Sequence, residues 1–360
     1  MKKIWTILLL RSYRSNTSKM EIYIILTILL ILLSFISLLS NKIDKVIAML
    51  VFFLLILFGS FRYDVGIDYI HYRDMYLNPN SSDFDILEPL YKAFLYTLRY
   101  LDLDPQFQFI ITSVLITSLF TYNVFKYSKY KTFTLSTFFL LPPLYLTTLN
   151  LIRQSISVMI FLVAFRFLVN RDFIKFFSFT SLSILIHKTA IIATASYFLL
   201  KNIVTTIFLS FGMAIFSENI TKYLIEIGYI SPIYNLNIFD KNPNIILSIF
   251  IVALWSFNNL FINKHDYYKL ANNGLFFAFI ISIIPVFTHL PTETFLRLTM
   301  YFTIFIPFLV DFIITKIKDY RIKFIFFLLF LSVACLYFIY TILIKGHSYN
   351  LVPYKTFFSL

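Results

Sequence analysis

Long apolar runs separated by short polar stretches recur from residue 22 almost to residue 344. A membrane-spanning helix needs roughly 20 predominantly apolar residues to cross the hydrocarbon core. By that measure the candidate spans are 22–40, 46–61, 106–125, 132–149, 155–169, 174–187, 189–200, 203–216, 245–262, 274–288, 298–314 and 324–344. The central ones are short for a full crossing, and 174–216 reads as three short helices or two longer ones. The pattern predicts an all-α, polytopic integral membrane protein with 11 or 12 transmembrane helices. Pro142-Pro143 interrupts the fourth run. Such breaks are tolerated at membrane depth where the backbone lines a cavity or is buried in protein.

Polar residues between the runs set the expected topology. Placing the loop at 41–45 inside puts 126–131, 170–175, 201–202, 263–273 and 315–323 on the same side. Those inner loops carry 14 basic residues against four acids (Asp44, Asp172, Asp266, Asp319). That asymmetry is the signature of cytoplasmic loops. The net charge of +13 is therefore mostly topology, and nucleic acid is not expected as a partner. Residues 1–19 disagree, because Lys2, Lys3, Arg11, Arg14 and Lys19 fall outside in this scheme. The favoured reading is a basic extension upstream of a start at Met20; the alternative is a basic amphipathic piece at a membrane surface. Residues 20–360 then form one membrane domain. Overall, 59% of residues are hydrophobic and 14% charged, against about 25% charged in soluble domains. The single cysteine, Cys335, excludes an intrachain disulfide.

Three outer segments are large enough to build a site: 62–105, 217–244 and 345–360. The first holds eight acids (Asp64, Asp68, Asp74, Asp83, Asp85, Glu88, Asp102, Asp104). The second is apolar enough to pack as an interfacial helix. Arg62 opens the first segment in Arg62-Tyr63-Asp64-Val65-Gly66, followed by Asp68-Tyr69 and Tyr72. Gly66 permits a turn with positive φ. Asp64 and Asp68 share a face if that stretch is helical. One reading is a capped helix start with an Arg–Asp pair. The other is an anion clamp beside a sugar-hydroxyl acceptor. A divalent ion between the two acids is weaker, since spacing fixes no third acidic ligand. No metal and no cofactor is expected.

Arg153-Gln154 lies at the outer end of the fifth run. A mid-membrane arginine costs about 2.5–3.5 kcal/mol on insertion scales, and much less near the interface. It either snorkels to lipid phosphate or points into a cavity, with the Gln154 amide facing sugar hydroxyls. His187-Lys188 breaks an apolar stretch; it is a turn between helices or a proton acceptor with its basic neighbour, since histidine titrates near about 6.5. Arg297 follows Glu293 by four residues, as a local ion pair or as a third outward guanidinium. Convergent guanidiniums fit a diphosphate, because the planar fork binds phosphate oxygens bidentately. No Walker-type loop, GxSxG elbow, CxxC or HExxH motif is present, which removes support for ATP-driven transport and zinc proteolysis.

The ordered set Arg62-x-x-x-Gly66-x-Asp68-Tyr69-x-x-Tyr72, Arg153-Gln154, His187-Lys188, Arg297 and Pro353-Tyr354 resembles the EpsG family of Wzy-like bacterial polysaccharide polymerases. The resemblance runs from about residue 20 to the C-terminus; Ile67 departs from the small polar residue usual after the glycine. It implies a multi-pass inner-membrane glycosyltransferase for capsule, exopolysaccharide or O-antigen synthesis, with its active site on the extracytoplasmic face. It implies as substrate an oligosaccharide repeat unit on undecaprenyl diphosphate, with membrane lipid around it and a flippase and chain-length regulator as further partners. In that scheme Arg62, Arg153 and Arg297, helped by Lys188, hold the diphosphate. His187 first and Asp68 second accept the proton of the acceptor hydroxyl. Asp64, Gly66, Tyr69, Tyr72 and Gln154 contact the sugars. A flippase for the same lipid is the main rival, and another envelope glycosyltransferase or acyltransferase the next. Against a transporter, the chain shows no paired repeats.

Overall fold

A computed structural model of the chain describes residues 20–200, 203–215, 219, 245–262, 266–287 and 292–359. The expected extension over 1–19 and, residue 219 apart, the expected interfacial helix over 217–244 lie outside the described residues. The chain divides into two compact units, one of residues up to 156 together with 317–360, the other of residues 157–316. Among the described residues the structure is helix and turn, with a single isolated bridge between Arg62 and Thr356.

The first unit contains α1 (Glu21–Ser37), α2 (Asn41–Ser60), α3 (Tyr69–Leu77), α4 (Ser82–Asp85), α5 (Pro89–Tyr100), α6 (Gln106–Tyr127), α7 (Lys131–Leu140), α8 (Tyr145–Asn150) and the start of α9 (Ile152–Val169). The second continues α9 and adds α10 (Phe173–Ile186), α11 (Ile191–Leu199), α12 (Ile203–Ile215), α13 (Ile245–Asn259), α14 (Asp266–Phe287), α15 (Thr292–Thr303) and α16 (Ile306–Lys316). The chain then returns to the first unit with α17 (Tyr320–Tyr340). Among the described residues six segments are long and apolar enough to cross a membrane: 41–60, 106–127, 152–169, 266–285, 295–316 and 320–345. Three shorter apolar helices, at 21–37, 173–186 and 247–259, accompany them. The protein is thus an all-α, multi-pass membrane protein. The expected 11 or 12 spans included runs that the structure shows as shorter pieces. The run 132–149 is α7, a turn at Pro142-Pro143 and then α8, because proline has no N–H for the helix ladder.

Helix α7 is the centre of the first unit, with α1, α2, α6 and α17 packed around it. Its residues Phe133, Leu135, Phe138, Phe139 and Leu140 are all buried. Phe120 stacks on Phe138 with ring centres 3.9 Å apart, and Phe139 meets Phe338 at 5.0 Å. Close ring packing replaces the hydrophobic drive that lipid cannot supply. The buried Ser34 and Ser136 hydroxyls join α1 to α7 at 2.9 Å. At one end of the bundle Ser40 caps α2 by accepting the Ile43 N–H. There the buried Asp44 carboxylate accepts the first amides of α7, from Lys131 and Thr132, both at 2.9 Å. The loops 41–45 and 126–131 therefore share one end, as the charge pattern predicts.

At the opposite ends of α2 and α7 the segment 62–105 folds into α3, α4 and α5 rather than an open loop. Helix α5 is amphipathic, burying Tyr91, Leu95 and Leu98. Arg99 in its last turn donates to the carbonyls of Met75 and Tyr76, which closes the C-terminus of α3. The segment 350–357 lies across this region. Tyr63 N–H donates to Lys355 O at 2.9 Å, Phe357 N–H to Phe61 O at 2.9 Å, and Gly66 N–H to Asn350 O at 2.7 Å.

Within the second unit, hydroxyls again join helices. Ser157 Oγ meets Ser183 Oγ at 2.6 Å and Tyr301 Oη at 2.9 Å, and Tyr301 reaches Thr189 at 3.1 Å. The Ser248 and Ser282 hydroxyls join α13 to α14 at 2.7 Å.

Candidate active site

The turn between α2 and α3 is where the sequence motif becomes geometry. Asp64 sits at φ 50° and Gly66 at φ 103°. The helix begins only at Tyr69, so Asp64 and Asp68 do not share a helical face; left-handed backbone at Asp64 breaks the periodicity that reading required. A Cβ on Gly66 would lie 2.7 Å from Asn150 Oδ1 and 2.9 Å from Leu149 O. Asn150, the last residue of α8, uses that same oxygen to accept the Ile67 N–H at 2.7 Å. Gly66 is therefore required twice, for its dihedral angle and for the close approach of α8. Gly66→Ala is expected to lose about 1–3 kcal/mol from backbone strain alone, with the clash added. Thermal unfolding in detergent checks this, and an unchanged midpoint would show that the turn tolerates a side chain.

Arg62, expected as an anion clamp, is 2% exposed. Its Nη1 donates to Leu149 O and to Val65 O, the latter at 3.3 Å. The guanidinium carbon lies 5.2 Å from the Phe109 ring centre and 6.0 Å from that of Tyr69. Burial pulls its pKa below the ordinary value, opposed by the surrounding tyrosines Tyr145, Tyr354, Tyr69 and Tyr72. The charge is thus bound to main-chain carbonyls and aromatic faces, as a cation withdrawn from water must be. Beside it lies a cavity of about 10 Å³ lined by Gly59, Thr112, Thr117, Tyr145 and Thr148, room for about one water. Tyr69 donates to Gln106 Oε1 at 2.8 Å, and Gln106 Nε2 reaches Ser60 O at 2.7 Å and Arg62 O at 3.0 Å. Burial pushes the Tyr69 phenol up to about 12. Asp64, expected to contact sugar, is bound by Lys355 Nζ at 2.5 Å and by Asn350. Asp68 precedes α3 half-buried and makes no side-chain cap.

Arg153 has a different surrounding. It stands at the second position of α9, with its side chain 20% exposed. Its Nη1 lies 2.5 Å from Glu88 Oε2, and Glu88 is 8% exposed. Tyr72, on α3, is in electrostatic reach of the same guanidinium. Tyr91, 2% exposed, is in electrostatic reach of Tyr72, Arg153, Arg62 and Glu88, and burial raises its phenol well above the ordinary value. The Tyr91 hydroxyl and Arg153 Nε are buried and have no acceptor among the described residues. Gln154 is buried one residue further on. The sequence-expected Arg153 and Tyr72 thus come together, and Glu88 joins them as a residue that the sequence shows only as one of eight acids.

The remaining expected residues belong to the second unit. His187 ends α10, its N–H donating to Ser183 O at 3.0 Å, and Lys188 begins a short 3-10 turn before α11. Both are half-buried. His187 thus lies at the turn between two helices, a position common to both sequence readings. Arg297 is half-buried on α15; the Glu293 side chain lies outside the described residues.

Helices long and apolar enough to cross a membrane, several of them among the described residues, define the class: a multi-pass α-helical membrane protein. The EpsG family model matches residues 45–356, so the chain belongs to the EpsG family. Its members are Wzy-like polysaccharide polymerases. No curated protein and no solved structure matches the chain.

Proposed function

We propose that the chain joins oligosaccharide repeat units carried on undecaprenyl diphosphate, at the outer face of a bacterial inner membrane, for capsule, exopolysaccharide or O-antigen. The observation that carries this reading is the Arg153 centre: one forked cation, two tyrosines and a carboxylate within a family-matched segment. The glycosyl diphosphate is already activated, so no nucleotide is required. The anomeric C–O bond breaks toward phosphate, and its developing charge needs a fixed donor. Arg153 supplies that donor, assisted by the positive end of α9.

Arg62, Asp64, Gly66 and Tyr69 move in this reading from sugar and phosphate contact to shaping the rim, because protein partners already occupy them. Tyr72, beside Arg153, keeps its substrate-binding role, and Gln154 keeps the one that family resemblance implies, on sequence grounds. Lys188 and Arg297 keep the roles that family resemblance implies, on sequence grounds, and His187 stays on the same grounds a candidate proton acceptor. Asp68, half-buried at the start of α3, is a second candidate proton acceptor. The apolar exposed faces, such as Leu50, Phe53 and Leu57 of α2, suit acyl and polyprenyl chains.

The test is polymerisation of lipid-linked repeat units by the purified protein in detergent. Lengthening of the glycan with no second compartment present is the expected result, and it separates an enzyme from a flippase. A protein that binds the lipid-linked unit yet never lengthens it would overturn the reading.

A further inference from the structure

We propose that Glu88 is a catalytic carboxylate of the same site: it holds Arg153 until the substrate diphosphate displaces it, then takes the proton of the acceptor hydroxyl. This rests on the polymerase reading above.

The local sequence explains why Glu88 is available. Pro89 is the first residue of α5, and proline biases the residue before it to extended backbone. Glu88 sits at φ −66° and ψ 148° in the N-cap position. A carboxylate there commonly accepts an amide of its own helix. Glu88 makes no such cap. Its side chain turns instead to Arg153, at 2.5 Å.

The composition of the site argues for an exchange of anions. The Tyr91 hydroxyl and Arg153 Nε, both buried, have no acceptor among the described residues. A buried donor without an acceptor costs about 1–3 kcal/mol. One carboxylate at Nη1 leaves these two donors unfilled. A diphosphate brings two charges and several oxygens, enough for the guanidinium edge and Tyr91 together. Ligand that fills them outcompetes a single carboxylate for the fork.

Displaced from its counter-ion, the Glu88 carboxylate stands beside the anomeric centre. The acceptor hydroxyl oxygen bonds to the anomeric carbon as the carbon–phosphate oxygen bond breaks. The bonding pair stays on the diphosphate, and the hydroxyl proton passes to Glu88. Glu88 then returns that proton to the departing prenyl diphosphate and re-forms its pair with Arg153. Charge and protons balance, and the site is reset without any further reactant.

The experiment compares wild type with Glu88→Gln, which keeps the shape and a hydrogen bond to Arg153 but accepts no proton. Two quantities are read: polymerisation turnover, and affinity for farnesyl diphosphate in detergent, with farnesyl monophosphate as control. Turnover is expected to fall by about 10²- to 10⁴-fold, the usual contribution of a general base. Farnesyl diphosphate is expected to bind more tightly, by about tenfold if the guanidinium is paired about nine-tenths of the time. That opposite movement is one a merely structural residue would not produce. Wild-type turnover in Glu88→Gln, or weaker diphosphate binding, would overturn the proposal. Should Glu88→Gln not fold, Glu88→Asp decides. With its carboxylate retained it is expected to keep measurable turnover, and complete loss in a folded Glu88→Asp counts against the proposal. A wild-type protein that never polymerises refutes the polymerase reading instead, whereas the farnesyl diphosphate measurement still reports on the carboxylate's displacement.

Discussion

Arg153→Ala should abolish polymer while single repeat units still reach their acceptor in cells. Removing a donor aimed at developing oxyanion charge costs about 10²–10³ in turnover, and the guanidinium here also answers a buried carboxylate. Glu88, 8% exposed, would be left without its counter-ion. Breaking a buried pair from one side costs about 3–5 kcal/mol, so the unfolding midpoint should fall as well. Arg153→Lys separates the two effects. It keeps the positive charge, and with it most of the stability, but loses the fork that meets two phosphate oxygens. Glycan length distributions and detergent unfolding curves, measured on both variants, check the split. Polymer of wild-type length from Arg153→Ala would remove this residue from the chemistry.

Arg62→Ala should act through stability instead. Two buried carbonyls, of Leu149 and Val65, lose their donor, at about 1–3 kcal/mol each. The faces of Tyr69 and Phe109 lose their cation as well. The expected result is a large drop in unfolding midpoint with farnesyl diphosphate affinity unchanged in the folded fraction. Loss of affinity at wild-type stability would restore the anion-clamp role that the sequence suggested. The two arginines look alike in the chain, each at the outer end of an apolar run. What separates them is their partner: carbonyl oxygens for one, a carboxylate and tyrosines for the other.

That contrast also shows what can be read from sequence here. Apolar length exposed the helices, because a bilayer imposes a minimum on any crossing. The shared end of loops 41–45 and 126–131 followed from lysine placement, and Asp44 bears it out by capping α7. The helices α3 and α5 were not visible. They lie in a polar stretch, and their apolar faces, such as Tyr91, Leu95 and Leu98, are too short to stand out beside true spans. The shared-face reading of Asp64 and Asp68 failed at one backbone angle that no periodicity reports. Glu88 was indistinguishable from its seven acidic neighbours until Arg153, 65 positions away, was seen beside it. The proline after it was the available signal, since it marked the start of a helix whose cap position a carboxylate occupies.

The strap formed by residues 350–357 imposes an order on assembly. Lys355 and Asp64, which pair across it, are 291 positions apart. During vectorial synthesis the N-terminal helices of the first unit are therefore made before α17 and the strap, and their rim stays unsealed while the whole intervening unit is translated. Contacts of such long range form late and slowly. The turn that carries Asp64 and Gly66 is thus tied down last, after the helices that flank it are already in place.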